Sequence, residues 1–226
     1  ATSGDTGSAV ARGFHQVANV NVKILFPLGR TSKLQQLKMT TLGDNVKAYG
    51  IDGSFDDCQE LVKMAFLDEE LRDKVNITSA NSINIARMLP QSVYYFYGWA
   101  QLPPKNRQDV LFSVPSGNYG NLTAGLIAQR MGLPVKRFLA ASNANNIVPR
   151  YLNEGAYMTR NSVRTISNSM DVGNPSNFTR MLDLHPSHSD MIEHMSGYFY
   201  SDEDTRKSMK SAYNDLKYIL DPHGAL

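Results

Sequence analysis

Hydrophobic positions along the chain follow two patterns: short runs rich in β-branched residues, and longer stretches with an apolar residue every three or four positions. The short runs predict β-strands over residues 22–26, 46–51, 75–78, 110–114 and 135–141. The longer stretches predict helices over residues 8–17, 32–42, 56–66, 83–102, 122–131 and 201–220. Such alternation is typical of an α/β fold, in which helices cover a mostly parallel sheet.

The same patterns predict which faces of the helices are buried. Cys58 lies on an apolar helix face, so we interpret it as a packing residue. The stretch 83–102 is apolar all round, which predicts a buried core helix, whereas residues 143–200 are polar and irregular. Capping boxes are predicted at Asp56 with Gln59 and at Ser201 with Asp204. The buried face of the last helix is predicted to consist of Met209, Ala212, Tyr213, Leu216, Ile219 and Leu220.

We expect open sheets in two lobes, with residues 1–76 forming part of a smaller lobe and residues 77–226 part of a larger one. In open α/β sheets, ligands bind in the crevice at the carboxyl ends of the strands. Polar turns that follow strands are therefore the candidate binding segments. These turns are residues 2–7, 79–82 and 116–121, and the turn at 221–224 is a fourth candidate.

Composition argues against several classes of protein, namely nucleic-acid-binding, disulfide-bonded, membrane-spanning and secreted proteins. The 226 residues carry a net charge of +2, and their Lys and Arg are scattered, so a nucleic-acid partner is not predicted. One cysteine excludes an internal disulfide and fits a reducing compartment. No apolar run has the length of a membrane span, and the first residues do not resemble a signal peptide. A cytoplasmic protein without a membrane partner is expected, while the oligomeric state is not predicted.

The Gly-rich segment Ser-Gly-Asn-Tyr-Gly-Asn at residues 116–121 follows a predicted strand and opens a predicted helix. Glycines let a backbone approach an anion closely, and a helix N-terminus offers unpaired N–H groups with a partial positive charge. The segment matches neither the Walker pattern nor the dinucleotide-binding pattern. It therefore predicts a phosphate cradle, and a structural βα turn is the alternative.

The segment Thr-Ser-Gly-Asp-Thr-Gly at residues 2–7 also leads into a helix. Its hydroxyl groups suit a carboxylate or a phosphate, but Asp5 would repel an anion and would instead face a hydroxyl or a cation. The alternative is a cluster that caps the helix. In the third segment, Asn81 and Ser82 start a helix, and Arg87 lies close enough along it to clamp a phosphate in the same pocket. For Arg87 alone, a solvated helix position is the alternative.

The histidines predict no metal site. His185, His188 and His194 lie close in sequence, but their spacing matches no familiar zinc pattern and no cysteine joins them. We interpret them as surface residues. No arrangement of Ser, His and Asp for nucleophilic catalysis is apparent either.

The three segments occur together, in this order, in threonine synthases, which this chain resembles over nearly its whole length. The resemblance includes Ala-Thr-Ser-Gly-Asp-Thr-Gly-Ser-Ala at 1–9, Asp-Gly-Ser-Phe-Asp-Asp-Cys-Gln at 52–59 and Ser-Ala-Asn-Ser-Ile-Asn-Ile-Ala-Arg at 79–87. It continues through Val-Pro-Ser-Gly-Asn-Tyr-Gly-Asn-Leu-Thr-Ala-Gly at 114–125, Val-Pro-Arg at 148–150 and Ser-Met-Asp-Val at 169–172. Tyr119 departs from the Phe that is commoner there but leaves the glycines in place.

The resemblance implies fold type II of the pyridoxal-phosphate enzymes, with the fold of the tryptophan synthase β subunit. It implies conversion of O-phospho-L-homoserine and water to L-threonine and phosphate. The residues implied to hold the cofactor phosphate are Gly117, Asn118, Tyr119, Gly120 and Asn121. Thr2, Ser3, Asp5 and Thr6 are implied to hold the substrate carboxylate and the region of the cofactor's ring hydroxyl. Asn81, Ser82 and Arg87, with Thr6, are implied to bind the substrate phosphate.

In this family the Schiff-base lysine lies upstream of the first motif, and a threonine that contacts the pyridine nitrogen lies downstream of the last. The chain also starts and stops inside turn motifs. We therefore expect part of a longer protein, incomplete at both ends of the fold, with no catalytic lysine of its own. Alternatives are a dehydratase or cysteine synthase of the same fold, a nucleotide- or phosphosugar-binding module, and a catalytically dead homologue that binds phosphate ligands.

Overall fold

The computed structural model describes residues 1–2 and 4–226, and its chain divides into two compact units, Ala1–Asn81 and Ser82–Leu226. The first unit contains α1 (Asp5–Phe14), β1 (Val22–Pro27), α2 (Lys33–Thr40), β2 (Val46–Ile51), α3 (Phe55–Leu67) and α4 (Glu69–Lys74). Strands β1 and β2 pair in parallel, with Val22 opposite Val46. A small core between the strands and the helices consists of Ala11, Val22, Ile24, Phe26, Met39 and Val46.

Capping boxes set where two helices of the first unit begin. At α2, the Ser32 hydroxyl accepts from the Gln35 N–H at 3.2 Å, and Gln35 Oε1 accepts from the Ser32 N–H at 2.9 Å. The box predicted at Asp56 and Gln59 is wrong, because Ser54 caps α3 and its N–H donates to Asp57 Oδ2 at 2.6 Å. Cys58 is fully buried, which confirms its packing role.

The second unit holds a parallel sheet whose described strands lie in the order β3 (Leu111–Pro115), β4 (Arg137–Ser142) and β5 (Met195–Phe199). Leu111 is opposite Arg137, and Phe138 is opposite Met195. The helices are α5 (Met88–Gln101), α6 (Gly120–Arg130), α7 (Ile147–Glu154), α8 (Phe178–Leu184), α9 (His188–His194) and α10 (Asp202–Leu216). The core forms around Leu122 and Leu126 of α6, Phe138 of β4, and Met181 and Met191 of the later helices.

The predicted open, parallel α/β architecture is confirmed, but two predicted features are wrong. Residues 75–78 form no strand, since the chain there leaves α4 without pairing to another described strand. The stretch 143–200 is not irregular, because it contains α7, α8, α9 and β5. The predicted boundary between the lobes, after residue 76, stays a prediction.

The burial of two helices also differs from expectation. Helix α5 is not buried all round: Met88, Ser92 and Tyr95 are buried, while Tyr94 is 70% exposed and Val93 58% exposed. Of the face predicted to be buried in the last helix, Tyr213, Leu216 and Ile219 are exposed and Met209, Ala212 and Leu220 are only half-buried; Ile219 and Leu220 lie beyond the end of α10. Thr205 is the buried residue of α10. Helix period alone predicts an apolar face, but a packing partner decides whether that face is buried.

Among the described helices, none combines the length and the apolar character that crossing a bilayer would require.

Candidate functional site

The segment 116–121 connects β3 to α6 by a single tight turn. The Ser116 N–H donates to the Ala141 carbonyl at 2.8 Å, which prolongs the ladder between β3 and β4 into the turn. Tyr119 then adopts a left-handed conformation with φ of 59°, and α6 begins at Gly120. The chain therefore passes from the carboxyl end of a strand directly into the N-terminus of an eleven-residue helix.

The backbone N–H donors of this turn have no acceptors among the described residues. Within the part of the chain that the structure describes, no hydrogen bond uses the N–H groups of residues 117–121. Gly117, Tyr119 and Gly120 are nevertheless buried. Buried backbone N–H groups are almost always paired, and a helix N-terminus favours negative charge. A turn with this geometry can therefore accept an anion such as a phosphate.

The asparagine side chains of the turn make hydrogen bonds within the protein. Asn121 Oδ1 accepts from the Ser116 hydroxyl at 2.8 Å, and Asn121 Nδ2 donates to the Pro115 carbonyl at 2.8 Å. Asn118 Nδ2 donates to the Ser82 hydroxyl at 2.8 Å, and its Oδ1 accepts from the Ser176 N–H at 2.7 Å. Both amides are used inside the protein, so an anion would be held by backbone N–H groups.

Tyr119 anchors the turn in the core. Its side chain is 1% exposed, and its hydroxyl pairs with the Ser142 hydroxyl, which donates to the Ser116 carbonyl at 3.2 Å. Burial raises the pKa of the Tyr119 phenol above its ordinary value, so the group stays neutral. The left-handed conformation of a bulky residue is costly, and this anchoring is what compensates for it.

A supporting layer behind the turn was not predicted. Asn177 Nδ2 donates to the Asn118 carbonyl at 2.9 Å, and Arg180 Nη1 donates to Asn177 Oδ1 at 2.7 Å. Arg180 also donates through Nη2 to the Ile83 carbonyl. These residues lie at the start of α8, in the stretch predicted to be irregular. The Pro-Ser-Asn sequence at 175–177 was the available signal for that helix start.

Of the third predicted segment, Ser82 lies directly at the turn. Besides its hydrogen bond with Asn118, its side chain is so close to Gly120 that a Cβ there would come within 2.9 Å of it. Arg87 ends a 3₁₀ turn (Ile85–Arg87) that Asn84 caps, and partial burial lowers the pKa of its guanidinium. Asn81 belongs to the first unit, where its Nδ2 donates to the Ala1 carbonyl.

The first predicted segment forms the N-terminal cap of α1. The buried Thr2 hydroxyl accepts from the N–H groups of Gly4 at 3.0 Å and Gly7 at 2.8 Å. Asp5 is exposed, and its Oδ1 accepts from Gln35 Nε2 at 2.8 Å. Thr6 is half-buried. Ser3 lies outside the described residues, and the ligand roles of this segment stay predictions.

The fourth candidate turn lies close to the cradle. Asp221 Oδ1 accepts from the N–H groups of His223 at 2.7 Å and Gly224 at 3.0 Å, which closes the turn. His223 Nε2 in turn accepts from the Ser169 N–H at 3.2 Å. The next residue, Met170, packs its backbone against Gly117 so closely that a Cβ at Gly117 would lie 2.5 Å from Met170 Cα. The turn at 221–224 thus contacts Ser169, and the turn at 116–121 contacts its neighbour Met170.

The interpretation of all three histidines as surface residues is wrong for His185. Its side chain is 3% exposed, and it lies beside Asp190 and His194. Burial lowers the pKa of the His185 imidazole, which favours the neutral ring.

Every lysine of the chain is exposed.

Comparison with known proteins agrees with this geometry. All 226 residues match the pyridoxal-phosphate dependent enzyme family. The threonine synthases of Haemophilus influenzae and Escherichia coli are 49% and 47% identical over 226 residues, which is 100% of this chain and 53% of each relative. The chain thus spans about half the length of the curated relatives it matches.

Solved structures give the same result. The crystal structure of threonine synthase from Escherichia coli matches with a TM-score of 0.94 at 47% identity, over 99% of this chain and 52% of that chain. A PLP-bound threonine synthase from Brucella melitensis matches with a TM-score of 0.85 at 38% identity, over 99% of this chain and 54% of that chain. The expected type II fold and the expected cofactor, pyridoxal phosphate, are both confirmed. By its sequence over all 226 residues, this chain belongs to the pyridoxal-phosphate dependent enzyme family.

Proposed function

We propose that this chain is part of a threonine synthase, which converts O-phospho-L-homoserine and water to L-threonine and phosphate. The observation that carries the proposal is the row of unpaired, largely buried N–H groups at residues 117–121, among the described residues, at the N-terminus of α6. A phosphate monoester fits this row, because its oxygens accept several hydrogen bonds at once. The relatives that are threonine synthases support the choice of reaction. A cytoplasmic location is part of the same proposal.

The cofactor, when bound, supplies an electron sink for the removal of protons from Cα and Cβ of the substrate. The backbone of Gly117, Asn118, Tyr119, Gly120 and Asn121 would hold its phosphate. Thr2, Ser3, Thr6 and Asp5 would orient the substrate carboxylate and the ring hydroxyl region.

Asn81, Ser82 and Arg87 would bind the phosphate that leaves the substrate. A guanidinium suits this task, because it stabilises the charge that grows on the departing group. The hydrogen bond from Asn118 Nδ2 to the Ser82 hydroxyl supports a role for Ser82 beside the turn at residues 117–121.

Substitution of Arg87 tests the proposal. In the full-length protein, Arg87→Ala is expected to weaken O-phospho-L-homoserine binding about a hundredfold, because a charge-assisted pair is worth a few kcal/mol. Pyridoxal-phosphate binding is expected to change by less than about threefold, because backbone groups hold that phosphate. Both affinities are measured by fluorescence titration, with Arg72→Ala on exposed α4 as the matched control.

Equal weakening of both ligands would mean that Arg87 has a structural role and would contradict the proposal. A full-length protein that binds both ligands but releases no phosphate would instead support the catalytically dead homologue.

A further inference from the structure

A group of three potential metal ligands lies where α8 ends and α9 follows. His185 is the residue at the C-terminal cap of α8, and Asp190 and His194 lie four positions apart on α9. One ligand atom from each residue can be chosen so that all three lie within 4.8 Å of one another. His185 Nδ1 is 3.3 Å from Asp190 Oδ2, and His194 Nε2 is 3.7 Å from Asp190 Oδ1.

The three side chains lie close enough together to share one tetrahedral ion. Zn²⁺ binds imidazole nitrogen and carboxylate oxygen at about 2.0–2.2 Å, which places neighbouring ligand atoms about 3.3–3.6 Å apart in a tetrahedral site. The two measured separations end on different oxygens of Asp190, and one ligand atom from each of the three side chains already lies within 4.8 Å of the others, so small side-chain rotations would bring them to that spacing. Asp190 and His194 are each about one third exposed, so water can reach the fourth position.

The state of His185 is an independent observation that points to a ligand. Its side chain is 3% exposed, yet neither ring nitrogen has a hydrogen bond of acceptable geometry within the described residues. Burying an imidazole without partners costs free energy, and most buried polar atoms are paired. A cation between the three side chains would satisfy the ring nitrogen that faces Asp190.

Three further side chains lie near this group of potential metal ligands but do not belong to it. His188 is on the same helix, but its Nε2 lies 3.1 Å from the Leu152 carbonyl, so it belongs to a different contact. Arg130 donates to the Leu184 carbonyl, and Arg137 donates to the Glu193 carbonyl at 3.3 Å. Their guanidinium groups oppose a cation nearby, and the Asp190 carboxylate offsets part of this repulsion.

We propose that His185, Asp190 and His194 bind one divalent transition-metal ion, with Zn²⁺ as the favoured ion and water as the fourth ligand. Two imidazoles and one carboxylate, without a thiolate, make a borderline donor set that suits Zn²⁺ and Co²⁺ better than Mg²⁺ or Ca²⁺. The ion would connect the end of α8 to α9, just before β5 begins. Its role would be structural, because it ties these elements together.

The test uses the full-length, cofactor-bound protein after treatment with a chelator. Titration with Co²⁺ is expected to give visible d–d absorption bands that saturate at one ion per chain and disappear when Zn²⁺ is added. His194→Gln and Asp190→Asn are each expected to weaken Co²⁺ binding about a hundredfold or more, since even outer-shell changes cost ten- to a hundredfold. These two variants are chosen because His185 is buried and its replacement could prevent folding.

His15→Gln is the matched control, because it removes a histidine that contacts a single carboxylate, Asp44 at 3.1 Å, and does not belong to the three-residue group. It is expected to leave Co²⁺ binding unchanged. Failure of the unmodified protein to bind Co²⁺ at millimolar concentration would overturn the proposal. Binding that is equally strong in His194→Gln and Asp190→Asn would also overturn it, because the ion would then be held elsewhere.

Discussion

At the scale of single residues, Asp171 shows how burial and hydrogen bonding compete. Its carboxylate accepts from the Thr165 N–H at 3.0 Å, from the Thr165 hydroxyl at 2.7 Å, and from the amides of Asn143 at 3.0 Å and Asn145 at 3.1 Å. These donors favour the ionised form, but burial outweighs them and raises the pKa of Asp171 from 3.8 to about 6. The folded protein therefore holds this proton more tightly than the unfolded chain does.

The raised pKa of Asp171 should make the free energy of unfolding depend on pH. Because the folded pKa is raised, the contribution of Asp171 to stability is fully present below about pH 4 and is lost as the pH rises to about 6. We expect a loss on the order of 2 kcal/mol over that window, after allowance for partial exposure. Denaturant unfolding at a series of pH values should show this loss in the unmodified protein and not in Asp171→Asn.

Asp183→Asn, at an exposed carboxylate on α8, is the control and should keep the pH dependence of the unmodified protein. The same pH dependence in Asp171→Asn would show that another group is responsible.

At the scale of elements, the turn between β3 and α6 depends on glycine for packing as well as for access to an anion. A Cβ at Gly117 would lie 2.5 Å from Met170 Cα, which is backbone and cannot rotate away. Gly197 of β5 is in a similar position, because a Cβ there would lie 2.5 Å from Pro149 Cα of α7. Both glycines therefore mark close approaches between backbones.

Gly117→Ala is expected to lower the free energy of unfolding by about 1–3 kcal/mol, because the added methyl group forces backbone to move. It should also weaken pyridoxal-phosphate binding, since the displaced segment carries the donors. Gly13→Ala is the control, because a Cβ there meets nothing within 4 Å and helix propensity favours alanine by up to about 1 kcal/mol. Unchanged stability and affinity in Gly117→Ala would contradict the close packing against Met170.

At the scale of the whole molecule, the distribution of lysines limits what this chain can do. All of its lysines are exposed. Their positions are Lys23, Lys33, Lys38, Lys47, Lys63, Lys74, Lys105, Lys136, Lys207, Lys210 and Lys217. A lysine that holds the cofactor covalently needs a desolvated position on the wall of the pocket, where its pKa is lowered.

The 226-residue chain alone is therefore expected to make no threonine. Incubation with pyridoxal phosphate and reduction with borohydride should label no single lysine stoichiometrically, as mapped by peptide mass spectrometry. An assay for phosphate release from O-phospho-L-homoserine should show no turnover. One fully labelled lysine together with turnover would contradict this prediction and the assignment of the site.

Local patterns in the sequence determined the parallel α/β class, the bounds of β2, the box at Ser201 and Asp204, and the glycine-rich turn before α6. Each of these depends on residues that are neighbours in the chain, so propensity, capping and periodicity are enough to predict them.

The features that join distant residues depend instead on tertiary packing. Strand β5 contains Gly197, which weakens its strand signal, and it forms because it pairs with β4. Position 197 has no room for a side chain, because a Cβ there would lie 2.5 Å from Pro149 Cα. The bracing of Asn118 by Ser82 and Asn177 joins residues 36 and 59 positions away. His185 likewise lies beside Asp190 and His194 of the next helix. Contacts of this range leave no periodic trace in the sequence, because they depend on packing between elements rather than on the conformation of any one of them.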